Sequence, residues 1–277
     1  MNTAVVTSFS AAGWAQYGRR FVETFCRFWP PEVALVCYSE HAESIRAEFE
    51  DAAGARAQVD LHDLYYVNHR LRGLVERHGY NALAHGREQR DGQRGWTPKK
   101  IADGYNFRYD AVRFAHKVFA IESAWCRIRF DARLFWVDAD VITFAPVPAT
   151  LFDELLPVGA ALACLDRGEY HSECGFVGYN LRHPEACAFI VAFAELYASG
   201  EIFQLQEWHD SWVFDWLRRK KGTPTHAIPH QSLRHPFVNS ALGACMDHLK
   251  GDRKKLARSP DHELTVRHEH AYWRSAA

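Results

Sequence analysis

The sequence lacks the charge imbalance and the cysteine pattern that mark several classes of protein. Its 33 Lys and Arg residues nearly cancel 34 Asp and Glu residues, and this net charge of -1 excludes a strongly basic nucleic-acid-binding protein. Its seven cysteines include no Cys-x-x-Cys pair and lie mostly in apolar stretches, where a free thiol acts as a small hydrophobic group. We therefore expect reduced cysteines, a cytoplasmic location and no nucleic-acid partner.

Long hydrophobic runs and a targeting signal are also missing. The uncharged stretch from Leu155 to Leu165 is too short to cross a bilayer, so we expect no transmembrane segment. The chain passes from Met1 directly into a strand-like run without a basic region, and we expect no signal peptide. What remains is a 277-residue chain with 48% hydrophobic residues, which is long enough to bury a core without disulfides or a structural metal.

The hydrophobic pattern along the chain alternates between strands and helices. It predicts strands at 4–9, 33–38, 59–64, 134–137, 162–165 and 176–179, and helices at 17–28, 41–50, 110–125, 184–199 and 210–221. Such alternation is typical of an α/β fold, here a Rossmann-like, mainly parallel central sheet flanked by helices. Residues 65–105, rich in Arg, His, Gly and Gln, predict a loop or lid insertion in a single domain of residues 1–255, which a C-terminal tail, 256–277, follows.

Two acidic residues, Asp138 and Asp140, follow the apolar strand that ends at Val137. Strand alternation places both carboxylates on one side, at the strand end where α/β sheets bind ligands. Neighbouring carboxylates repel unless a cation or protons intervene, and a hard divalent ion that also grips a diphosphate is the economical explanation. Because Asp-x-Asp arises by chance about once in a chain like this, a strand-end turn with one Asp as a cap is the alternative interpretation.

A second motif, His248-x-x-Gly251-x-x-Lys254, lies near the C-terminus. Its chance expectation is roughly 0.03 per chain, which makes it far more specific than Asp-x-Asp. An imidazole can complete a metal site begun by two carboxylates, glycine lets the backbone approach a phosphate, and lysine supplies a positive charge for it. The alternative interpretation is a solvated basic loop, since Lys250 and Arg253 lie in the same stretch.

In this order, the two motifs resemble those of glycosyltransferases with the GT-A fold, especially the family 8-like group of glycogenin and the galactosyltransferases. The segment from Glu173 to Leu181 is similar to the acceptor-side strand of that family. His209-Asp210 resembles its Gln-Asp pair at a helix start, and Lys117 occupies the place of a basic residue that contacts the donor. Thr7-Ser8 ends the first strand, where the family holds the base and ribose.

This resemblance implies a metal-dependent transferase, of hexosyltransferase type, that uses a nucleoside-diphosphate sugar as donor. A UDP-sugar is the favoured donor, and the acceptor would be a saccharide, a lipid-linked saccharide or a protein. The resemblance implies Mn²⁺ or Mg²⁺ held by Asp138, Asp140 and His248. It also implies that Lys254 and the backbone of Gly251 hold the phosphates, and that the anomeric configuration is retained.

Other functions stay open at this point. Asp210 and Glu173 are candidates for orienting the sugar, but either could instead be the base of a transferase that inverts the anomeric configuration. A non-catalytic carbohydrate- or nucleotide-binding protein on a GT-A scaffold is a further alternative. A sugar nucleotidyltransferase would need a basic, Gly-rich loop after the first strand, and the segment from Ser10 to Trp14 contains neither Arg nor Lys.

Overall fold

The computed structural model describes residues 2–88, 104–128, 132–251 and 253–274. The strands are β1 (Asn2–Ser8), β2 (Ala34–Ser39), β3 (Val59–Asp63), β4 (Ala132–Val137), β5 (Val141–Thr143), β6 (Leu162–Leu165), β7 (Glu173–Asn180), β8 (Thr225–Ala227) and β9 (Met246–His248). The helices are α1 (Ala11–Gly13), α2 (Arg19–Phe28), α3 (Ala42–Ala53), α4 (Leu64–Val67), α5 (His69–His78), α6 (Ala111–Arg127), α7 (Leu151–Leu155), α8 (Pro184–Ala198), α9 (Asp210–Lys221) and α10 (Arg253–Leu256). A π-helical segment, Trp14–Gly18, joins α1 to α2, so this helical stretch begins earlier than the predicted 17–28.

A seven-stranded sheet in the order β3-β2-β1-β4-β7-β6-β8 forms the centre of the fold. Strands β1 to β4 pair in parallel, and β8 pairs in parallel with β6. Strand β7 runs antiparallel to both of its neighbours, β4 and β6. The predicted α/β fold with a mainly parallel central sheet and flanking helices is confirmed.

Helices cover both faces of this sheet, and this explains why its inner strands are buried and largely apolar. In β4, Leu134 and Trp136 belong to a core shared with α6, α8 and α9, whereas Phe135 and Val137 belong to a second core shared with α2, α3 and α7. All six residues of β4 are buried. A strand buried on both faces reads as a continuous apolar run rather than an alternating one.

A short ribbon of β5 and β9 lies beyond the end of β4. Its antiparallel register pairs Val141 with His248 and Thr143 with Met246. Neither strand was predicted, because three residues carry too little periodicity to separate a strand from a loop. The ribbon matters for function because it brings two remote parts of the chain together.

Part of the predicted insertion is helical and belongs to the body of the fold. Helices α4 and α5 pack against α6, and α5 also contacts α8. Nδ2 of Asn68 donates to Oε2 of Glu122 at 3.0 Å, and Arg70 pairs with both Glu122 and Glu195. Residues 89–103 of the predicted loop or lid lie outside the described residues.

The C-terminal segment packs against the ribbon. The Tyr272 ring stacks on Phe144 at a centroid distance of 4.0 Å, and the Trp273 indole donates to the Gly243 carbonyl oxygen at 2.9 Å. Asp247, next to His248 in β9, accepts hydrogen bonds from the Ser259 hydroxyl and the Ser259 amide. Residues 256–274 therefore support the strand that carries His248. Among the described residues, no helix combines the length and the apolar character needed to cross a membrane.

Replacing Trp273 tests this packing. Trp273 is 6% exposed, so Trp273→Ala should lower the free energy of unfolding by about 3–5 kcal/mol, the usual range for a buried aromatic residue cut back to alanine. Urea unfolding measures the change. Tyr66, which is 79% exposed, supplies the control, since Tyr66→Ala should have little effect. Equal and small losses in both variants would mean that the C-terminal segment is not part of the fold.

Candidate functional site

The ribbon brings His248 beside the acidic pair. Leu249, the residue after β9, donates its backbone N–H to the carbonyl oxygen of Asp140 at 3.0 Å. The amide of Asp138 donates to the carbonyl oxygen of Gly175 at 2.9 Å, which ties the turn after β4 to β7. Backbone pairing from two directions thus fixes the place where the carboxylates and the imidazole meet.

Asp138, Asp140 and His248 form a compact group. Nε2 of His248 lies 3.1 Å from Oδ1 of Asp140 and 3.5 Å from Oδ2 of Asp138. One ligand atom from each of the three side chains lies within 4.8 Å of the other two. The predicted metal-ligand residues are therefore brought together from sequence positions that only the fold unites.

Hydrogen bonds orient each carboxylate of the pair. Oδ1 of Asp138 accepts from the Trp136 indole at 2.6 Å and from Nζ of Lys117 at 3.1 Å, and this leaves Oδ2 facing His248. Oδ2 of Asp140 pairs with Nζ of Lys254 at 3.0 Å, and its Oδ1 faces His248. Each carboxylate thus presents one oxygen to the same nitrogen.

Lys117 is a buried cation between two carboxylates. Its Nζ lies 2.6 Å from Oδ2 of Asp210 and donates to the Cys174 carbonyl oxygen at 2.6 Å, and the residue is 9% exposed. Burial would lower the pKa of Lys117, but Asp138 and Asp210 outweigh it and raise that pKa above its ordinary value. Burial likewise opposes ionisation of Asp210, and Lys117 reverses the effect and holds the pKa of this carboxyl below its usual range. This pairing with Asp210 was not predicted.

Glu173 faces the other side of the histidine. Its Oε1 lies 3.6 Å from Nδ1 of His248 and 3.6 Å from Nζ of Lys250, and it accepts from the Gly175 amide at 3.2 Å. Burial would raise the pKa of Glu173, but Lys250 and His248 lower it to about 2. Glu173 is therefore a carboxylate close to the group of Asp138, Asp140 and His248.

Gly175 makes room for the imidazole. A Cβ atom at this position would lie 2.4 Å from Cε1 of His248, which no packed structure tolerates. The position of His248 therefore requires a glycine at residue 175, which lies in β7 within the segment from Glu173 to Leu181. Among the described residues, Nδ1 of His248 finds no partner within hydrogen-bonding distance.

The charges of the group are coupled. Burial opposes ionisation of Asp140, but His248 and Lys254 outweigh it and hold the pKa of the carboxyl well below its usual range. Burial would lower the pKa of His248, and Asp140 and Glu173 raise it instead. Neighbouring positive charge therefore favours the ionised form of Asp140, and neighbouring carboxylates favour the protonated form of His248.

The remaining predicted residues lie around this group. Thr7 is fully buried at the end of β1, where its Oγ1 has no hydrogen-bond partner within the described ranges, and Ser8 is half-buried. Gly251 has a φ of +65°, a left-handed conformation that favours glycine, and it opens the turn that leads to Lys254. Nζ of Lys254 also lies 4.3 Å from the centre of the Tyr17 ring.

The donor set of the group suits a hard divalent ion. Two carboxylates and one imidazole are ligands that Mn²⁺ and Mg²⁺ sites use, and both oxygens that face the histidine are aimed at a common point. Glu173 faces Nδ1 of His248, the ring nitrogen opposite the one that faces Asp138 and Asp140, and a carboxylate in this position is common at metal-bound histidines. The residues present therefore fit such an ion.

Several neighbours of the site escaped the sequence analysis. Trp136, Tyr17 and Lys250 contact Asp138, Lys254 and Glu173, respectively. Strand alternation could have linked Trp136 with Asp138, but no local pattern links the other two pairs. A separate group of His171, Glu207 and His209 also lies near the start of α9. The alternation in Glu207-x-His209 is a weak signal, and nothing in the sequence connects it with His171.

Comparison with known proteins yields structural likeness but no family. No protein-family model and no curated protein matches the sequence. Similar solved structures are mouse xyloside xylosyltransferase 1 (14% identity, TM-score 0.40), the glycosyltransferase GlyE of Streptococcus pneumoniae (14%, 0.43) and the bifunctional glycosyltransferase WbbM (14%, 0.42). They cover 82%, 81% and 82% of this chain, which in turn spans 78%, 45% and 38% of theirs. At these values the likeness assigns neither a family nor an activity.

Replacing Lys117 tests the charge balance of the site. Lys117→Met should cost about 3–5 kcal/mol of unfolding free energy near pH 7, because Asp138 and Asp210 lose their buried cation. In the parent protein the lowered pKa of Asp210 stabilises the fold above the unfolded value of about 3.9, and that stabilisation is lost as the pH falls. In the variant, Asp210 keeps its burial but loses the charge of Lys117, so its pKa should lie above that in the parent protein, and the difference between the two proteins should shrink from about pH 7 to about pH 4.

Urea unfolding at several pH values measures this difference. Lys221→Met removes an exposed lysine from the last turn of α9 and should change stability by no more than about 0.5 kcal/mol. A Lys117→Met penalty that is small, or that grows as the pH falls, would contradict the assigned pairing.

Proposed function

We propose that the protein is a glycosyltransferase that moves a sugar from a nucleoside-diphosphate sugar to an acceptor and depends on a divalent metal ion. The observation that carries the proposal is the convergence of Asp138, Asp140 and His248 at the carboxyl end of β4. In α/β sheets this end is where ligands bind. A phosphate-type loop, with Gly251 and Lys254, follows the histidine directly.

Asp138, Asp140 and His248 would hold Mn²⁺ or Mg²⁺. When bound, the ion would neutralise charge on the diphosphate that leaves the sugar. The protein's own contribution is to aim one oxygen of each carboxylate at the histidine, through Trp136 and Lys117 on Asp138 and through Lys254 on Asp140.

The loop after β9 would hold the diphosphate. Nζ of Lys254 pairs with Asp140 and lies over the Tyr17 ring, so its charge already faces the site. A diphosphate offers this ammonium group a stronger, charge-assisted partner than a single carboxylate. The left-handed turn at Gly251 lets the backbone approach the phosphates without a Cβ atom in the way.

Thr7 and Ser8 are the residues we assign to the base and ribose of the donor. They end β1, the strand that pairs with β4 and therefore lies beside the acidic pair. Uridine is the base that the motif resemblance favours, and the acceptor belongs to the saccharides, lipid-linked saccharides or proteins. The hexosyltransferase class rests on the same resemblance.

Asp210 and Glu173 would orient the sugar rather than remove a proton. Asp210 is paired with Lys117 at 2.6 Å, and Glu173 lies 3.6 Å from Lys250. A carboxylate held by a cation is a poor base for an acceptor hydroxyl. Transfer with retention needs no such base, because the departing phosphate can take the proton on the same face of the sugar. We therefore propose retention of the anomeric configuration.

Metal-linked nucleotide binding tests the proposal. UDP should bind the parent protein more tightly with Mn²⁺ than without it. Asp140→Asn should lower the UDP affinity measured with Mn²⁺ at least tenfold, because even residues that only orient metal ligands typically cost that much when replaced. Isothermal titration calorimetry measures both affinities. Asp60→Asn, at an exposed position of β3, is the matched control and should keep the full gain. Metal-independent UDP binding in the parent protein would refute the metal dependence.

The role of Lys254 has its own signature. Lys254→Ala should weaken UDP binding by about 1.5–3 kcal/mol, the scale of a hydrogen bond to a charged group, and leave uridine binding almost unchanged. Calorimetry with UDP and with uridine separates the two effects, and Lys221→Ala controls for net charge. If both ligands lose affinity equally, Lys254 acts on the base or on the fold rather than on the phosphates.

The configuration of the product tests retention. With UDP-glucose or UDP-galactose as donor and water as acceptor, proton NMR of the first-formed free sugar should show the donor's anomer before mutarotation. The opposite anomer would establish inversion and make Asp210 or Glu173 the base. Absence of hydrolysis with every donor tried, together with metal-linked UDP binding, would favour a non-catalytic nucleotide-binding protein.

A further inference from the structure

A second group of metal-ligating side chains lies at the start of α9. It consists of His171, Glu207 and His209, whose ligand atoms lie within 4.8 Å of one another. Nε2 of His209 is 2.9 Å from Oε2 of Glu207, and Nε2 of His171 is 3.7 Å from the same oxygen. None of the three belongs to the group around Asp138 and Asp140.

The group is built into the fold on one side and open on the other. Glu207 is 7% exposed and His209 is 5% exposed, whereas the side chain of His171 is 39% exposed. Phe107 and Phe114 lie against the His209 ring at 5.5 and 5.9 Å between ring centres. Packing therefore fixes the side chains of Glu207 and His209, and the group is accessible to a water molecule from the side of His171.

The separations suit a tetrahedral ion. Zinc bonds of about 2.1 Å to nitrogen and oxygen place neighbouring ligands about 3.4 Å apart. The two nitrogen-to-oxygen separations, 2.9 and 3.7 Å, lie on either side of that value. Nη1 of Arg108 lies 3.3 Å from Oε1 of Glu207, so the arginine orients the carboxylate and leaves Oε2 for both imidazoles.

The donor chemistry also differs from that of the first group. Two carboxylates and one imidazole around His248 suit a hard ion, whereas two imidazoles and one carboxylate suit a borderline ion such as Zn²⁺. Three protein ligands with one open position are the pattern of a zinc site that keeps a water molecule.

We propose that His171, Glu207 and His209 form a second metal site, selective for a borderline divalent ion of the Zn²⁺ type. The proposal rests on side chains other than those of the Mn²⁺ or Mg²⁺ group, and its test does not require sugar transfer. His209 is the residue that immediately precedes α9, and Asp210 begins this helix, so an ion held by His209 would fix the helix start that positions the Asp210–Lys117 pair.

Zinc binding by the full chain tests the proposal. The protein is stripped of metal with a chelator in the Asp140→Asn background, which disables the first group, and Zn²⁺ is titrated in competition with a chromophoric chelator. One equivalent should bind, and His171→Ala should weaken its affinity at least tenfold. Because the His171 side chain is 39% exposed and does not belong to the core, this variant should keep the fold, and its unfolding midpoint verifies that.

The absorption spectrum of bound Co²⁺ reports the coordination geometry, and two further variants check that the signal comes from this group. Co²⁺ in the same background should show the intense visible absorption of tetrahedral coordination, and Glu207→Gln should abolish it. His41→Ala removes an exposed histidine that precedes α3 and should leave zinc and cobalt binding unchanged.

Three outcomes would overturn the site: no zinc bound at micromolar concentration, unchanged affinity in His171→Ala, or equal losses in His171→Ala and His41→Ala. In each case the group is a hydrogen-bonded network only. Since UDP and Mn²⁺ are absent from the measurement, its failure leaves the proposed transfer untouched, and the reverse holds as well.

Discussion

Repulsion between the carboxylates of Asp138 and Asp140 is the constraint around which the rest of the site is arranged. Their strand ends in a sheet covered on both faces, where unpaired charge is costly. Lys117 from α6 and Lys254 from α10 place positive charge beside the two carboxylates, and Nε2 of His248 from β9 lies within reach of both. The ribbon, the left-handed turn and the packed C-terminal segment all help to keep these side chains within reach of the carboxylates. The two carboxylates and the histidine could bind a divalent cation, and the lysines beside them could pair with a diphosphate.

One buried lysine also connects the acidic pair with the start of α9. Asp138 contacts Lys117, Lys117 contacts Asp210, and Asp210 follows His209 in the chain. Lys117 is thus shared between the acidic pair and the helix start beside the second group. A change at Lys117 would therefore alter the surroundings of Asp138 and of the start of α9 together. This continuity gives a physical reason for α6 to carry a lysine that is nine-tenths buried.

Periodicity and motif spacing predicted the parts of the molecule that depend on local sequence. The buried run of β4 and the His-x-x-Gly-x-x-Lys motif identified Asp138, Asp140 and His248, and the structure brings those three together. The ribbon was missed because its strands are too short to carry a period. The Lys117–Asp210 pair and the group containing His171 were missed for a different reason. They arise from contacts between distant segments, which no spacing in a single sequence encodes.

The central claim is that the acidic pair and the histidine hold a divalent ion against a diphosphate. Its most direct test is an anomalous-difference map, recorded above the manganese absorption edge, from crystals of the protein grown with Mn²⁺ and UDP. The account predicts one strong peak within bonding distance of Asp138, Asp140 and His248 and in contact with both phosphates of the nucleotide. Diphosphate bound with no peak among these three side chains, or a peak bound elsewhere while they keep their present contacts, would contradict it.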